Sequence, residues 1–273
     1  MSVYDLYFAF GKPGTYTLDH TGGHCSQRMP LRYHEWTAKR PIKAIKNLAC
    51  DAHDNIFMVW TPDNRSLVCK SHLDPIYHPL QTFLSKEGVV NCRVQFGPSI
   101  GEYFVTSERT GRCQWVSPQL DKDMTNETAR FKMCSLGIYD SYVAIFTDGS
   151  AKWSLGEDYP GLLRILRRVR QGDLVFVALN PYRANEFFVA LADGIVHIRA
   201  SALVEKHVLD ILGQYPNLTV VTSDVIKCSR SVSGDQGLPT KYRTKDFMKF
   251  IAKNVAGGVI SSAVAATFSC TVM

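Results

Sequence analysis

The chain lacks the apolar segments that direct a protein to secretion or hold it across a membrane. Residues 1–10 have no basic start, no long apolar run and no small-residue cleavage site, which argues against a secretory signal. The stretch Val255–Cys270 is rich in small residues and too short for a membrane-spanning helix, which needs ~20 strongly apolar residues. We therefore expect the protein to be made and kept in the cytosol.

Sequence signals of enzymes and metal sites are also scarce. The 8 cysteines are scattered without a Cys-x-x-Cys pair, as expected of reduced and mostly buried thiols. There is no Gly-x-Ser-x-Gly elbow, no P-loop and no Gly-x-Gly-x-x-Gly after a strand. His20, His24 and Cys25 are types that ligate zinc, yet no second pair at metal-like spacing completes a set of four. We predict no metal and no cofactor, and an enzyme is unsupported.

The composition is that of an ordinary globular chain. Of the 273 residues, 45% are hydrophobic and 21% are charged, which is enough apolar material for one large core or two small ones. The net charge of +6 is modest, and the basic residues are not gathered into one block with glycine. Nucleic acid is therefore not a predicted partner.

The sequence does contain an internal repeat, in which an apolar aromatic strand meets a tight turn and a second strand. The copies are Tyr4–Leu18, Asn55–Cys69, Glu102–Trp115, Ser141–Trp153 and Glu186–Ile198. Two of their turns are Asp-Gly pairs, which favour a β-hairpin because both central residues of a type I′ turn need positive φ. The turns are spaced by roughly 45 residues.

A further short apolar strand precedes most of these hairpins. These strands are Ile42–Cys50, Val89–Phe96, Phe131–Ile138 and Leu174–Leu179. No such strand precedes the first hairpin, whereas Leu218–Val221 has no hairpin after it. We therefore predict a mainly β fold, a five-unit β-propeller-like closed repeat ring over residues 1–225, in which the last strand completes the N-terminal unit and leaves no open sheet edge.

Helical patterns lie between some of the units. They cover Pro160–Arg170, Ser201–Leu212 and, more weakly, Pro79–Glu87, whereas the polar stretch 119–128 is predicted to be a loop. The first of these helices carries the basic residues Arg164, Arg167, Arg168 and Arg170. They form either a basic patch for an acidic partner or, as we favour, the solvated face of a helix that packs on the sheet.

The aromatic strand, the Asp-Gly-Ser turn and the tryptophan after it resemble a known repeat. The fourth copy, Tyr142–Trp153, is similar to the ~45-residue "YFVxxxDGSxxW" repeats of mostly fungal proteins of uncharacterised function. The fifth copy resembles it well, with Ile198 at the tryptophan position, and the first two depart further. The resemblance covers about residues 1–225 and implies a β-propeller-like fold with no agreed activity.

The tryptophan position of the repeat is apolar in every copy but not always aromatic. Its occupants are Leu18, Val68, Trp115, Trp153 and Ile198. A sugar-stacking repeat would keep an exposed aromatic residue in each unit, so a shared core position explains this set better. A cytosolic lectin that uses Trp115 or Trp153 stays open as an alternative, and so does a propeller-fold enzyme with a site at its central channel.

The C-terminal 48 residues have a different composition. Residues 226–240 are polar and predict a linker, and 241–273 form a tail that begins with a basic amphipathic helix. The basic residues of this predicted membrane-surface patch are Lys241, Arg243, Lys245, Lys249 and Lys253. Residues 255–270 read as a flexible arm after this helix.

The sequence ends in a Cys-a-a-X box, the pattern for prenylation of the cysteine. Cys270 would carry the lipid, and Thr271, Val272 and Met273 would be read by the transferase, with methionine in the last place favouring farnesyl. We therefore predict a prenylated platform on the cytoplasmic face of a membrane that binds a protein partner. Its other partners would be protein farnesyltransferase, transiently, and an anionic membrane surface.

Overall fold

The computed structural model describes residues 1–62, 66–124 and 127–222, together with the backbone of 266–272. The described chain is mainly β, as predicted, and its strands form five small sheets, each built on three antiparallel strands that are consecutive in the sequence. The first sheet contains β1 (Tyr7–Phe10), β2 (Tyr16–His20) and β3 (Gly23–Gln27). The second contains β4 (Ala44–Cys50), β5 (Ile56–Thr61) and β6 (Leu67–Leu73).

The remaining sheets repeat this three-stranded order. The third contains β7 (Cys92–Phe96), β8 (Tyr103–Ser107) and β9 (Cys113–Val116). The fourth contains β10 (Phe131–Leu136), β11 (Tyr142–Phe146) and β12 (Ala151–Ser154). The fifth contains β13 (Leu174–Leu179), β14 (Phe187–Leu191) and β15 (Ile195–Arg199).

Two sheets gain a fourth strand. In the fifth, β16 (Thr219–Thr222) pairs in parallel with β15. In the second, β17 (Ala266–Val272) pairs antiparallel with the outer edge of β6, with Ala266 opposite Leu73 and Val272 opposite Leu67. Among the strands that the structure describes, β17 therefore forms the edge of that sheet and has one hydrogen-bonded neighbour.

Five helices and three short 3₁₀ turns connect the strands in the described residues. The helices are α1 (Leu31–Lys39), α2 (His78–Glu87), α3 (Pro118–Met124), α4 (Pro160–Leu166) and α5 (Ala202–Leu212). The turns are Val3–Asp5, Pro75–Tyr77 and Val89–Asn91. The predicted helices at α2, α4 and α5 are confirmed, although α4 ends at Leu166. The predicted loop at 119–128 is wrong, because Leu120 and Met124 lie one helical turn apart on α3 and are both buried.

In the second, fourth and fifth sheets the middle strand is apolar at nearly every position because both of its faces are covered. In β5, Ile56, Met58 and Trp60 pack into one core cluster, while Phe57 and Val59 pack into another on the opposite face. A strand buried on both sides reads as a continuous apolar run rather than as an alternating pattern.

The repeat extends to backbone hydrogen bonds in the loop between the first and second strands. In each sheet, the N–H of one loop residue donates to the carbonyl of the residue just before the second strand. The pairs are Gly11 to Thr15, Asp51 to Asn55, Gly97 to Glu102, Gly137 to Ser141 and Asn180 to Glu186. Four of these acceptors are the starting residues of the copies identified in the sequence, so those four copies are aligned correctly.

The first copy was aligned one strand too early. Tyr4–Leu18 covers β1 and β2, the first and second strands of its sheet, and the residue that corresponds to Asn55 is Thr15. The first sheet therefore needs no strand from elsewhere, and the predicted strand at Leu218–Val221 lies in the fifth sheet as β16.

The predicted five-unit β-propeller-like closed ring is therefore wrong. The described residues form five separate sheets of three or four strands, and no closed barrel or propeller ring is found among them. The strand exchange that was to close the ring does not occur, since β16 pairs with β15 and not with β1.

Candidate binding site

A buried carboxylate on β2 is the most unusual polar group near an open cleft. Asp19 is 5% exposed, and its Oδ2 accepts a hydrogen bond of 2.9 Å from the backbone N–H of Ile45 on β4. Its Oδ1 is buried and has no hydrogen-bond partner in the described part of the chain. Since buried polar atoms are nearly always hydrogen-bonded, this oxygen lacks a donor that a ligand could supply.

Asp19 lines a cleft of about 560 Å³, referred to below as the Asp19 cleft. The N-terminal 3₁₀ turn, β2, β4 and β7 contribute its walls. The turn is held by a capping box, in which the backbone N–H of Ser2 donates to Asp5 and that of Tyr4 donates to Ser2 Oγ. The side chain of Tyr4 lines the cleft and is 66% exposed.

Three basic residues line the same cleft: Lys43, Lys46 and Arg93. Glu108 binds two of them, with 2.9 Å between its Oε2 and Lys46 Nζ and 2.6 Å between its Oε1 and Arg93 Nε. Lys43 is exposed and has no ion pair within residues 1–62, 66–124 and 127–222. The cleft thus combines a carboxylate acceptor with cationic donors.

Burial changes the protonation of the groups around the cleft. Desolvation raises the pKa of Asp19 to about 6, against the opposing effect of the hydrogen bond from Ile45. Burial lowers the pKa of His20, whose Nδ1 lies 2.8 Å from the hydroxyl oxygen of Tyr215. Near neutral pH the cleft therefore presents an ionised Asp19 beside a neutral His20.

The histidine and cysteine group considered for zinc lies beside this carboxylate. In the ladder between β2 and β3, His24 pairs with Asp19 and Cys25 with Leu18, so these side chains do not converge with His20 on one point. No set of three or more metal-ligating side chains could hold an ion in the described ranges. Burial also raises the pKa of the Cys25 thiol to about 11, which keeps it protonated at neutral pH.

The tryptophan position of the repeat lies in or next to the core. Val68 and Ile198 are fully buried there, while Trp115 and Trp153 are half-buried. Leu18, which the misaligned first copy assigned to this position, lies instead in the second strand of its sheet and is fully buried. Trp115 stacks on Phe104 with 6.3 Å between the ring centroids, so one face of its ring is already occupied.

The two Asp-Gly pairs act in turns. Asp148 Oδ1 accepts from the N–H of Ser150 at 2.9 Å, and Asp193 Oδ1 accepts from the N–H of Ile195 at 3.0 Å. The glycines that follow have φ of +83° and +91°, the left-handed region that glycine occupies without strain.

The arginine-rich helix has one covered face. Leu162 and Leu166 are buried against the fourth and fifth sheets, and the basic side chains project into solvent. Arg164 lies on α4, whereas Arg167, Arg168 and Arg170 follow the last residue of the helix, and all four are exposed. This arrangement is that of a solvated outer face.

The C-terminal site residues are only partly within the described chain. Cys270 lies in β17 opposite Cys69 of β6, and Thr271 and Val272 complete the strand. The end of the stretch predicted to be a flexible arm is therefore a paired strand. Met273, the linker at 226–240 and the predicted helix with Lys241, Arg243, Lys245, Lys249 and Lys253 lie outside the described residues.

Sequence reasoning missed Asp19, although a signal for it exists. With the first repeat aligned from Thr15, Asp19 occupies the position that the other copies fill with Val59, Thr106, Ile145 and Ala190. A carboxylate at a position that is otherwise apolar or weakly polar in the middle strand is an anomaly, but it becomes visible only after the alignment is corrected.

Comparison with protein family models, curated proteins and solved structures found no match to this chain. In the described residues, no helix combines the length and the apolar character that crossing a membrane requires.

Proposed function

We propose that this protein is a binding protein, that a farnesyl group on Cys270 attaches it to the cytoplasmic face of a membrane, and that its ligand occupies the Asp19 cleft. The observation that carries the binding site is that Asp19 lines the cleft and that its buried Oδ1 lacks a partner within the described residues. A ligand that donates to this oxygen would satisfy it.

The lipid anchor rests on the sequence and takes Met273 as the C-terminal residue in the cell. A single lipid chain holds a protein on a membrane only marginally, and each basic residue near an anionic leaflet adds about 1 kcal/mol. The five basic residues in 241–253 would therefore make attachment by Cys270 durable. Protein farnesyltransferase and an anionic membrane surface are the partners that this proposal requires.

The position of β17 is compatible with modification of Cys270. A prenyltransferase must reach an extended C-terminal segment, and β17 is an edge strand that pairs with β6 and with no other strand in the described part of the chain. Its release breaks a single ladder and leaves the pairing of β4, β5 and β6 in place. The released state would expose the edge of β6, so we expect membrane-attached protein to differ there from the unmodified chain.

The anchor is tested by the intact mass of the full chain purified from eukaryotic cells, with and without a farnesyltransferase inhibitor. We expect a mass that corresponds to farnesylation, loss of Thr271–Met273 and carboxyl methylation, and we expect the inhibitor to abolish it. A chain that keeps an unmodified Met273 would refute the anchor, whatever the cleft binds.

Two variants sharpen this test. Cys270→Ser should move the protein from the membrane fraction to the supernatant. Met273→Leu keeps the cysteine but should exchange farnesyl for geranylgeranyl, so that the protein stays on membranes in the presence of the farnesyltransferase inhibitor. Equal membrane binding of Cys270→Ser and the natural chain would contradict a lipid at this residue.

A further inference from the structure

We propose that the Asp19 cleft binds a phosphorylated sugar or polyol, with a ligand hydroxyl on Asp19 and the phosphate on the basic residues that line the cleft. This inference rests on the Asp19 cleft being the binding site proposed above, and it is independent of the lipid anchor.

The state of Asp19 favours a hydroxyl over an ammonium group. Its Oδ2 accepts from Ile45, so one buried oxygen is left without a hydrogen-bond partner in the described chain. A hydroxyl brings one donor, whereas an ammonium group brings three that each need an acceptor once they leave water. A metal cation is also disfavoured, because no suitable set of ligands exists in the described ranges.

The basic residues supply the site for the anionic group. Lys43 has no carboxylate partner in the described chain, and the ion pair of Arg93 uses Nε, which leaves the two terminal nitrogens of the guanidinium for another acceptor. Arginine forks bind phosphate oxygens in pairs, and lysine adds a point charge. Glu108 neutralises part of this wall and holds Lys46 and Arg93 in place without lining the cleft.

The size and rim of the cleft fit a ring-shaped ligand. A volume of about 560 Å³ is that of a small-molecule site. Tyr4 lines the cleft with a largely exposed aromatic side chain, on a turn that the capping hydrogen bonds of Ser2 and Asp5 hold, and the C–H faces of sugar rings pack well on aromatic rings.

The same chemistry can come from two sources, a free sugar phosphate or the inositol phosphate headgroup of a membrane lipid. The first experiment uses the full chain purified from bacteria, so that Cys270 carries no prenyl group. Calorimetric titration with glucose 6-phosphate and with myo-inositol 1-phosphate should show binding by at least one of them. Glucose, myo-inositol and inorganic phosphate alone should bind at least ~10-fold more weakly, because each offers one half of the recognition.

The variants Asp19→Asn and Lys43→Met should each weaken binding by ~10-fold or more, a loss typical of one charge-assisted hydrogen bond. Matched controls are Asp54→Asn and Lys206→Met, the same changes at exposed positions away from the cleft. Thermal unfolding of every variant verifies that it is folded. A phosphate ligand that binds equally well to Asp19→Asn would overturn the inference, and so would inorganic phosphate that binds as tightly as the sugar phosphates.

A second arm distinguishes the sources. Vesicles that contain phosphatidylinositol phosphates should retain the chain, with soluble inositol phosphate as competitor, if the ligand is a lipid headgroup. If the vesicles do not retain the chain while glucose 6-phosphate binds tightly, the ligand is a free sugar phosphate. Either result supports a phosphorylated sugar or polyol as the ligand.

The same titrations with free amino acids separate the two proposals. An amino acid that binds in an Asp19-dependent manner, with no binding of phosphorylated sugars or polyols at millimolar concentration, would refute this inference and leave the cleft as the binding site. Ligand binding that none of the cleft variants changes would refute both the inference and the proposed site.

Discussion

The stability of the protein should depend on pH through Glu102. Burial raises the pKa of this carboxyl more than it raises the pKa of Asp19. Glu102 is 2% exposed at the start of β8, where its Oε2 accepts from the N–H of Ser99 at 3.3 Å. Burial raises its pKa from 4.5 to about 8, and the negative charge of Asp140 adds to the effect. The folded chain therefore holds this proton through neutral pH.

The sign and size of the effect follow from linkage. Between pH 4.5 and about 8, the unfolded chain has lost the Glu102 proton while the folded chain keeps it. The free energy of unfolding therefore falls as pH rises through this window, by about 1.4 kcal/mol per pH unit and about 4 to 5 kcal/mol in total. The contribution is fully present below pH 4.5.

The variant Glu102→Gln tests this, because glutamine has the shape of the protonated acid and cannot ionise. Urea unfolding at pH 5.5, 6.5 and 7.5 should show that the variant gains on the natural chain by about 1.4 kcal/mol for each pH unit. Glu35→Gln, at an exposed position on α1, serves as control and should follow the natural chain. The same slope for Glu102→Gln and the natural chain would show that Glu102 is already ionised in the folded protein.

Two further substitutions test contacts that hold sheets together. Tyr7→Phe should lower the free energy of unfolding in urea by about 2 to 3 kcal/mol. The Tyr7 hydroxyl accepts from the N–H of Leu48 and donates to its carbonyl, each at 2.8 Å, and both backbone groups would lose this partner. A loss below ~0.5 kcal/mol would refute this reasoning. Gly194→Ala should destabilise the protein more than Gly172→Ala. Both glycines have positive φ, so the backbone strain is similar. A Cβ at Gly194 would lie 2.6 Å from the carbonyl oxygen of Asn217, whereas a Cβ at Gly172 would meet nothing within 4 Å. Equal melting temperatures for the two alanine variants would contradict the steric argument.

Much of the local structure could be predicted without coordinates. The hairpins at Asp148-Gly149 and Asp193-Gly194, and the helices α2 and α5, follow from turn residues and apolar spacing within a few neighbouring residues. The first repeat could not be aligned in this way, since β1 is as apolar and aromatic as the middle strands of the other sheets. Helix α3 could not be predicted either, because its apolar pattern consists of two residues one helical turn apart in a polar segment.

The predicted ring closure failed for a related reason. Pattern alone says that a segment such as Thr219–Thr222 is a strand, but not which edge it joins, because every open edge offers the same backbone donors and acceptors. Its pairing with β15 depends on α5, which packs beneath the fifth sheet and returns the chain to that edge.

The candidate site is the feature that the residue pattern predicts least. Asp19 and Ile45 belong to different sheets, and the cleft that they line is also lined by the N-terminal turn and by Arg93. Composition and local periodicity suffice to establish a mainly β repeat protein with short connecting helices. Which carboxylates are buried, how far their pKa values move and which of their oxygens stay free are set by packing between distant segments, because desolvation depends on everything that surrounds a group in space.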